Sequence, residues 1–358
     1  MKKKKILFII PKICNGGAER RVVFLANEFS KLDYQVSLLS FWDTNDEYPL
    51  NDSIKRIHLW KKLRFNHHAS DKLRTINLFF IINKLRPKVI ITMHPPVAYM
   101  VKVAGFLNHF KLVDLLEVSP NSIKDITTRI KGWNRANKVF LQCDKQLSYM
   151  PNHIKSKCVV IGNPVADSFI NTAHTYKNEI TNFISVGRLD IEKNHELLIN
   201  AFNKAYLKNN KISLTIYGKG PLKEKLINLR NRLGLENVIT FIDRSNDMPN
   251  TYNQYDAFIL SSNFEGMPNS LLEAMAVGLP SISTDCDTGP SDLIDKETGI
   301  LVDINNIDQL ANAILSYANN PLNAEKLGKK GKTKISINYN QKEIISKYSN
   351  EINRLFLD

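Results

Sequence analysis

Short runs of β-branched and aromatic residues alternate with longer stretches of helical periodicity along the whole chain. This alternation is typical of βαβ units, so we expect parallel sheets with helices packed against their faces. The clearest predicted helices cover residues 18–32 and about 69–85, and the first has an apolar stripe through Val22, Ala26 and Phe29. We predict seven strands in the first half, at residues 5–10, 35–40, 54–58, 88–93, 111–116, 138–142 and 157–161. We predict five more in the second half, at residues 183–186, 213–217, 238–242, 257–260 and 281–284.

The regular pattern is interrupted once, after Asn163-Pro164, which predicts a hinge near residues 163–180. A length of 358 residues also fits two domains. We therefore expect an N-terminal domain over residues 1–165, a second domain over residues 166–340, and a terminal helix over residues 341–358 that packs back on the first domain. Each half is predicted to be doubly wound, which places ligands at the carboxyl ends of the strands and in the cleft between two lobes.

The composition excludes several classes of protein. With 43% hydrophobic and 23% charged residues, the chain is not disordered. Its four cysteines are far apart, so they indicate neither a disulfide framework nor a metal site, and a reducing cytoplasm is expected. The apolar runs at residues 6–10 and 78–82 are far shorter than the roughly 20 residues of a membrane span, so we expect a soluble or peripheral protein.

The net charge of +14 is unevenly distributed. Residues 1–170 hold 28 basic and 13 acidic side chains, whereas residues 171–358 are nearly balanced, with 21 basic and 22 acidic ones. Such a basic domain would attract nucleic acid or the acidic lipids of an inner leaflet. Alternatively, the excess charge has no partner and only reflects solvated surfaces of a lysine-rich chain.

Two basic stretches of the first half include tryptophan, one around Trp60 and one over residues 129–135 around Trp133. Cations beside tryptophan suit the headgroup layer of a membrane, whereas core tryptophans flanked by solvated lysines would give the same letters. The charge asymmetry favours the membrane interpretation. The candidate residues for contact with a lipid-linked acceptor or a membrane are Lys61, Lys62, Arg64, Lys72 and Arg74.

Glycine-containing turns follow several predicted strands. Gly16 and Gly17 come after the first strand and open a helix, where free N–H groups favour a phosphate, although such a turn is also common for steric reasons. Gly187 is followed by Arg188 and Lys193, two cations that could neutralise a diphosphate without a metal, or be solvated loop charges. Gly218, in the next turn, opens the same edge of the sheet, and three such turns together favour a phosphate site.

The segment 263–275 is the most specific motif. Glu265 follows a predicted strand, and the Gly266, Met267 and Asn269 positions lead into a helix that carries Glu273 about one turn further on. A carboxylate at the mouth of this helix and a second one that accepts a pair of hydroxyls, such as a ribose diol, would suit a nucleotide sugar. Alternatively, Glu265 has no ligand and its negative charge only complements the dipole at the start of the helix.

These motifs together with Gly278-Leu279-Pro280 resemble family 4 of the retaining glycosyltransferases, and above all the bacterial members that extend polyprenyl-diphosphate-linked sugars for O-antigen, capsule or glycoprotein glycans. The resemblance implies the GT-B fold, in which two Rossmann-like domains face a cleft and the second domain holds the nucleotide sugar. It also implies same-face transfer without a protein nucleophile, with the diphosphate oxygen as base and no cofactor beyond the nucleotide sugar.

By similarity, Arg188 and Lys193 hold the diphosphate, Glu273 holds the ribose hydroxyls, and Glu265 faces the donor sugar. The amides of the 266–269 segment would assist Glu265, and Gly17 would approach the β-phosphate. Many relatives have a histidine near the donor sugar after a strand of the first domain. Here the corresponding strand leads into Glu117, and the preceding strand ends at His94, so both residues are candidates for that polar role.

The sequence therefore predicts a retaining hexosyl- or N-acetylhexosaminyltransferase. It would use a nucleotide-diphosphate sugar, a UDP-sugar by preference, and a polyprenyl-diphosphate-linked saccharide at the cytoplasmic face of the membrane. A two-lobed nucleotide-sugar epimerase is the enzyme alternative, and its chemistry would not depend on an acceptor. A basic nucleic-acid-binding protein is the other alternative, but it would leave the glycine turns and paired glutamates without a purpose, so no nucleic-acid partner is expected.

Overall fold

The computed structural model describes residues 4–13, 17–41, 48–59, 67–93, 95–117 and 126–357. The chain divides into two compact units, one formed by Met1–Gly162 together with Ile345–Asp358 and the other by Asn163–Ile344. Among the helices in the described ranges, none is long and apolar enough to cross a membrane.

The first unit contains a parallel seven-stranded sheet in the order β3-β2-β1-β4-β5-β6-β7. Its strands are β1 Lys4–Ile10, β2 Tyr34–Ser40, β3 Lys55–His58, β4 Val89–Thr92, β5 Lys111–Leu115, β6 Lys138–Leu141 and β7 Cys158–Val160. Its helices are α1 Gly17–Lys31, α2 His67–Leu85, α3 Pro95–Ala104, α4 Ile126–Arg135, α5 Asp144–Ser148 and α6 Asn152–Lys155. The strand order reverses between β1 and β4, so this sheet is doubly wound.

The second unit contains a parallel six-stranded sheet in the order β10-β9-β8-β11-β12-β13. Its strands are β8 Asn182–Val186, β9 Ser213–Tyr217, β10 Ile239–Ile242, β11 Ala257–Leu260, β12 Ser281–Thr284 and β13 Ile300–Val302. Its helices are α7 Asp167–Asn171, α8 His195–Tyr206, α9 Lys223–Arg232, α10 Met248–Asn253, α11 Asn269–Val277, α12 Pro290–Leu293, α13 Ile307–Asn319 and α14 Pro321–Asn338. The expected α/β fold with two Rossmann-like sheets is confirmed, and β13 is one strand more than the sequence predicted.

Each sheet is buried on both faces, which explains why its strands read as continuous apolar runs instead of an alternating pattern. In β1, Leu7 and Ile9 join one core cluster with Trp133. Phe8 points to the other face, where its ring lies 6.3 Å from that of Phe29 on α1. The second unit has its own cluster, centred on α8, α13 and the strands between them.

The last helix, α15 Gln341–Leu357, starts within the second unit, and its residues from Ile345 onward belong to the first. The ring of Tyr348 lies 5.4 Å from that of Phe140, and Phe356 lies 6.0 Å from Tyr34. The helix therefore contributes the buried Tyr348 and the half-buried Phe356 to the packing of the first unit.

Candidate active site

The candidate donor-binding residues of the second unit lie at the carboxyl edge of its sheet. The turn after β8 holds Gly187, Arg188 and Lys193, the turn after β9 holds Gly218, and the loop after β11 holds Glu265. Strands β9, β8 and β11 are neighbours in the sheet, so these three turns are adjacent in space.

Gly218 is required for the close approach of two of these turns. A Cβ atom at Gly218 would lie 1.9 Å from the carbonyl oxygen of Gly187. The amide of Gly187 donates to the carbonyl of Tyr217 at 3.0 Å, which keeps the two turns together. The aliphatic part of Lys193 then passes over Gly187, since a Cβ there would meet its Cγ at 3.2 Å and its Cδ at 3.3 Å.

Lys193 forms a partly buried ion pair with Glu265. Its Nζ contacts Oε1 of Glu265, and the two side chains are 20% and 10% exposed. The hydroxyl of Ser262 donates to the same carboxylate oxygen at 2.6 Å, and the hydroxyl of Thr288 donates to the main-chain carbonyl of Glu265. The carboxylate is thus held by two partners from different strand ends, with its charge balanced by Lys193.

Arg188 occupies a different environment on the same edge. Its Nη2 lies 2.7 Å from Oδ2 of Asp190, and its side chain is 71% exposed. The other oxygen of Asp190 accepts a hydrogen bond from the amide of Lys193 at 3.2 Å. Asp190 therefore links the two cationic positions, and the exposed guanidinium can reach an anion by a change of rotamer.

The two loops that carry these cations and the carboxylate are joined by side-chain hydrogen bonds. The hydroxyl of Ser261 donates to the carbonyl of Lys193 at 2.9 Å. Asn194 donates to the side-chain oxygen of Asn263 at 2.8 Å, and the Asn263 amide donates to the carbonyl of Glu192 at 2.8 Å. This network fixes the spacing between the β8 and β11 loops.

Gly289 and Asn163 both contact the segment that contains Gly266, Met267 and Asn269. Gly289 has φ 95°, and a Cβ there would lie 2.5 Å from the carbonyl oxygen of Gly266. Asn163 also contacts the segment: its main-chain amide lies 3.1 Å from the sulfur of Met267, and its side chain donates to Asn269 at 2.9 Å. The segment is therefore held in one conformation at the start of α11.

Glu273 lies one turn inside α11 and is buried. The 266–269 segment and the first turn of α11 connect Glu265 to Glu273. The structure brings Arg188, Lys193, Glu265, Gly187 and Gly218 together through contacts, and it places Glu273 on the adjoining helix.

Two further titratable groups lie near this edge. Burial and the nearby Lys193 lower the pKa of His195 to about 4, so its imidazole is neutral at pH 7. Burial and the charge of Glu265 raise the pKa of Cys286 to about 12, which keeps the thiol protonated and a poor nucleophile. Within the described ranges, no group of three or more His, Cys, Asp and Glu side chains could hold a metal ion.

Several candidate residues of the first unit fall outside the described residues: Gly16, Lys61, Lys62, Arg64 and His94. Gly17 is described as the first residue of α1, and Lys72 lies in α2 with a side chain outside the described set. The guanidinium of Arg74 lies 5.7 Å from the ring centroid of Phe41.

Glu117 is buried in a polar network of the first unit. Its Oε1 accepts from Arg21 at 3.0 Å, and its Oε2 accepts from Gln142 at 3.0 Å. Arg21 also donates to the hydroxyl of Tyr348 on α15 and to the carbonyl of Ile161 at 3.3 Å. Burial raises the pKa of Glu117, and the charge of Arg21 opposes that effect.

Trp133 is fully buried, so the core interpretation holds for this tryptophan. Its indole donates to Asp114 at 3.1 Å, and Thr92 donates to the other oxygen of the same carboxyl at 2.7 Å. Burial raises the pKa of Asp114 to about 7, against the hydrogen bonds that favour its charged form.

The residues that support the site, notably Ser262, Thr288, Asp190 and Asn163, are not among the site residues that the sequence predicts. Ser262 lies two residues after the end of strand β11, and position at a strand end is the signal that predicted the other site residues. Thr288 and Asn163 gave no local signal, because their contacts with the 265–269 segment span 23 to 106 positions of sequence.

Comparisons with known proteins show what this chain is similar to. Residues 167–334 match the model of the family described as glycosyl transferases group 1. An uncharacterized glycosyltransferase of Haemophilus influenzae is 27% identical over 325 residues, which are 89% of this chain and 91% of that protein. The GalNAc-alpha-(1->4)-GalNAc-alpha-(1->3)-diNAcBac-PP-undecaprenol alpha-1,4-N-acetyl-D-galactosaminyltransferase of Campylobacter jejuni is 26% identical over 311 residues, 83% of this chain and 84% of its own.

Among solved structures, HepE of Anabaena in complex with UDP and glucose is similar to this chain with a TM-score of 0.80, over 98% of this chain and 99% of HepE, at 17% identity. The fold is therefore that of GT-B glycosyltransferases. Residues 167–334, just under half of the chain, carry the match to glycosyl transferases group 1, and the expected resemblance to glycosyltransferases is confirmed.

Proposed function

We propose that this glycosyltransferase moves a hexose or N-acetylhexosamine, with retention of configuration, from a UDP-sugar to a polyprenyl-diphosphate-linked saccharide. The proposal rests above all on the carboxyl edge of the second sheet. Arg188 and Lys193 both lie in the turn after β8 at this edge, and Glu265 is paired with Lys193. Two cations suit a diphosphate, and the neighbouring carboxylate suits the hydroxyls of a sugar.

In the proposed reaction, the bond between the anomeric carbon and the β-phosphate oxygen breaks while the acceptor hydroxyl forms a new bond on the same face. The acceptor proton passes to the departing phosphate oxygen, so the chain supplies no nucleophile. Lys193 and Arg188 would stabilise the charge that develops on the leaving diphosphate, which is the main electrostatic contribution expected of such a site. We therefore propose that no metal or other cofactor is needed, and that activity persists in EDTA.

Glu273 would accept both ribose hydroxyls from its position on α11, and the amides of Gly266, Met267 and Asn269 would face the donor. The Campylobacter relative supports the choice of a lipid-linked acceptor by its name, and HepE supports UDP as the nucleotide. We further propose that the enzyme works at the cytoplasmic face of an anionic membrane, because the acceptor is a lipid and the excess positive charge belongs to residues 1–170.

The experiment is an assay of nucleotide release with a panel of nucleotide sugars, with and without a polyprenyl-diphosphate-linked saccharide. We expect UDP release that requires the acceptor, and NMR of the product should show the same anomeric configuration as the donor. Release or isomerisation of the sugar without an acceptor would instead indicate the epimerase. An inverted product would refute same-face transfer.

A further inference from the structure

The outer surface of the first unit exposes a group of large apolar side chains on α2 and on the connection between α3 and β5. Phe80 is 64% exposed, Phe106 is 73% exposed and Leu107 is 63% exposed, and Leu73 and Ile76 are exposed beside them. We call these five residues the α2 face. Large apolar side chains that cluster on the surface, in contrast to single ones, mark an interaction site.

Helix geometry explains why α2 has this outer surface. Leu73, Ile76 and Phe80 recur at intervals of three and four, so they form one stripe along the helix. Leu78 and Ile82 lie about half a turn away and are fully buried in the core. The helix is therefore apolar on two opposite sides, and burial in the core accounts for only one of them.

Aromatic contacts make the α2 face continuous. The ring of Phe79 lies 5.5 Å from that of Phe80 on the same helix and stacks 6.2 Å from that of Phe106. Asn108 also donates to the side chain of Asn83 at 3.0 Å, which ties the α3 to β5 connection to the end of α2. The two segments thus present one connected surface.

The segment that carries the α2 face is basic, although Asp71 lies nearer the start of the same helix. Residues 73–111 contain six lysines and arginines and no acidic residue. Lys84 is exposed on the same stripe, one turn after Phe80. Beside it, the side chains of Lys5, Lys55 and Lys84 line a cavity of about 190 Å³ together with Gln35 and Ser37. The apolar surface is therefore bordered by cations that suit phosphate groups.

We propose that the α2 face is the surface by which this protein docks on the headgroup layer of an anionic phospholipid bilayer. The apolar side chains would enter the boundary between headgroups and acyl chains, and the lysines would contact lipid phosphates. A second copy of the chain is a poorer occupant, because a two-fold contact would bring this positive surface against itself. The inference rests on the proposed function, because an enzyme with a lipid-linked acceptor must act at a membrane surface.

The position of α2 in the fold fits this role. The helix precedes β4, so its last turn leads to the amino edge of the sheet and its first turn lies toward the carboxyl edge. With its stripe against a bilayer, α2 would lie along the surface. The carboxyl edge of the first sheet, where Gly17 and Glu117 are found, would then remain within reach of a saccharide carried on a lipid.

The test is co-sedimentation of the full chain with vesicles of phosphatidylcholine alone or mixed with phosphatidylglycerol. We expect binding to the anionic vesicles that weakens with salt. The double variant Phe80→Gln/Phe106→Gln should reduce the partition coefficient by at least about tenfold, since two exposed aromatic rings are lost. Lys84→Glu should reduce it only on the anionic vesicles. The matched control is Leu207→Gln/Leu322→Gln, which changes side chains that are 78% and 77% exposed in the second unit.

The substituted side chains are exposed, so each variant should fold like wild type. Circular dichroism and light scattering of each variant check its fold and its oligomeric state. Equal binding by wild type, the α2-face variant and the control variant would overturn the proposal, as would no binding by wild type. A dimer that the α2-face variant converts to a monomer, without vesicle binding, would show a second copy as the occupant. The vesicle assay contains no donor or acceptor, so failure of the proposed transferase reaction is detected separately by the assay of UDP release.

Discussion

The ion pair between Lys193 and Glu265 gives the sharpest prediction about the active site. Lys193→Ala removes a cation that the proposed mechanism places on the leaving diphosphate. The loss of one such electrostatic donor corresponds to about 2–4 kcal/mol of transition-state stabilisation, or about 30-fold to 1,000-fold in kcat/KM. Lys204→Ala is the control, because Lys204 is also paired with a carboxylate, at 2.7 Å from Asp308, but on an exposed surface. It should change kcat/KM by less than about twofold.

The pairing also predicts how the second residue behaves. In Lys193→Ala, the carboxylate of Glu265 remains largely buried with Ser262 as the partner of the same oxygen, and its negative charge then opposes a diphosphate. Glu265→Gln in the Lys193→Ala background should therefore recover part of the affinity for UDP, with a coupling energy of about 0.5–3 kcal/mol. Glu265→Gln alone should lower kcat because the sugar loses its carboxylate.

The measurements are titration calorimetry with UDP and steady-state kinetics with a UDP-sugar and a lipid-linked acceptor. Unchanged kcat/KM in Lys193→Ala would refute the assignment of this cation to the diphosphate. Strict additivity of the two substitutions for UDP affinity would refute the argument that the pair acts as a unit.

Three further predictions follow from single positions. Glu273→Gln should weaken UDP binding by about tenfold and the binding of 2′-deoxyuridine diphosphate by clearly less, because the deoxynucleotide has only one of the two hydroxyls that Glu273 would accept; equal loss for both nucleotides would argue against it. Gly218→Ala should lower the melting temperature and abolish UDP binding, since its Cβ would lie 1.9 Å from the Gly187 carbonyl. The pKa of Asp114 is about 7 in the folded protein and 3.8 ordinarily, so between these pH values the folded state holds a proton that the unfolded chain has lost. The free energy of unfolding should therefore fall by up to about 4 kcal/mol as pH rises from 3.8 to about 7, and level off above pH 7. Urea titrations followed by tryptophan fluorescence should show a flatter profile for Asp114→Asn.

Much of the fold could be predicted because each sheet is covered on both faces. Buried parallel strands read as short apolar runs, and twelve such runs identified the strands from β1 to β12. β13 was missed because its apolar run, Ile300–Val302, is confined between Gly299 and Asp303, whereas the apolar run of the equally short β7 continues to Ile161. β13 is a strand because it pairs with β12, starting with Ile300 opposite Ile282. Such pairing is a property of the tertiary structure and cannot be read from the local sequence.

The elements of the candidate site could also be predicted, because the carboxyl ends of neighbouring parallel strands meet at one edge. What the sequence did not provide is the set of partners. Lys193 and Glu265 are 72 positions apart, and nothing in either motif indicates that they pair. The supporting residues Ser262 and Thr288 likewise depend on how the loops cross, which the local pattern does not determine.

The membrane interpretation shows the same limit at the surface. In the sequence this interpretation depends on cations beside Trp60 and Trp133, but Trp133 belongs to the core, where its indole donates to Asp114. The α2 face was overlooked because a helix with apolar residues on two sides has a weak periodicity. The exposure of Leu73, Ile76 and Phe80 in the structure distinguishes the outer side of the helix from the inner one.

Glu117, a candidate for the polar catalytic role, has both carboxylate oxygens engaged, one by Arg21 and one by Gln142. A substrate could bind this carboxylate only at the expense of one of these contacts, so we predict that Glu117 is a structural residue. Glu117→Gln should cost about 3–5 kcal/mol of stability, because it leaves the buried guanidinium of Arg21 without its counter-charge. The double variant Arg21→Met/Glu117→Gln removes both charges and should recover most of that stability together with wild-type kcat. If the double variant is as stable as wild type but its kcat is at least about 100-fold lower, Glu117 acts on the substrate and the structural assignment is wrong.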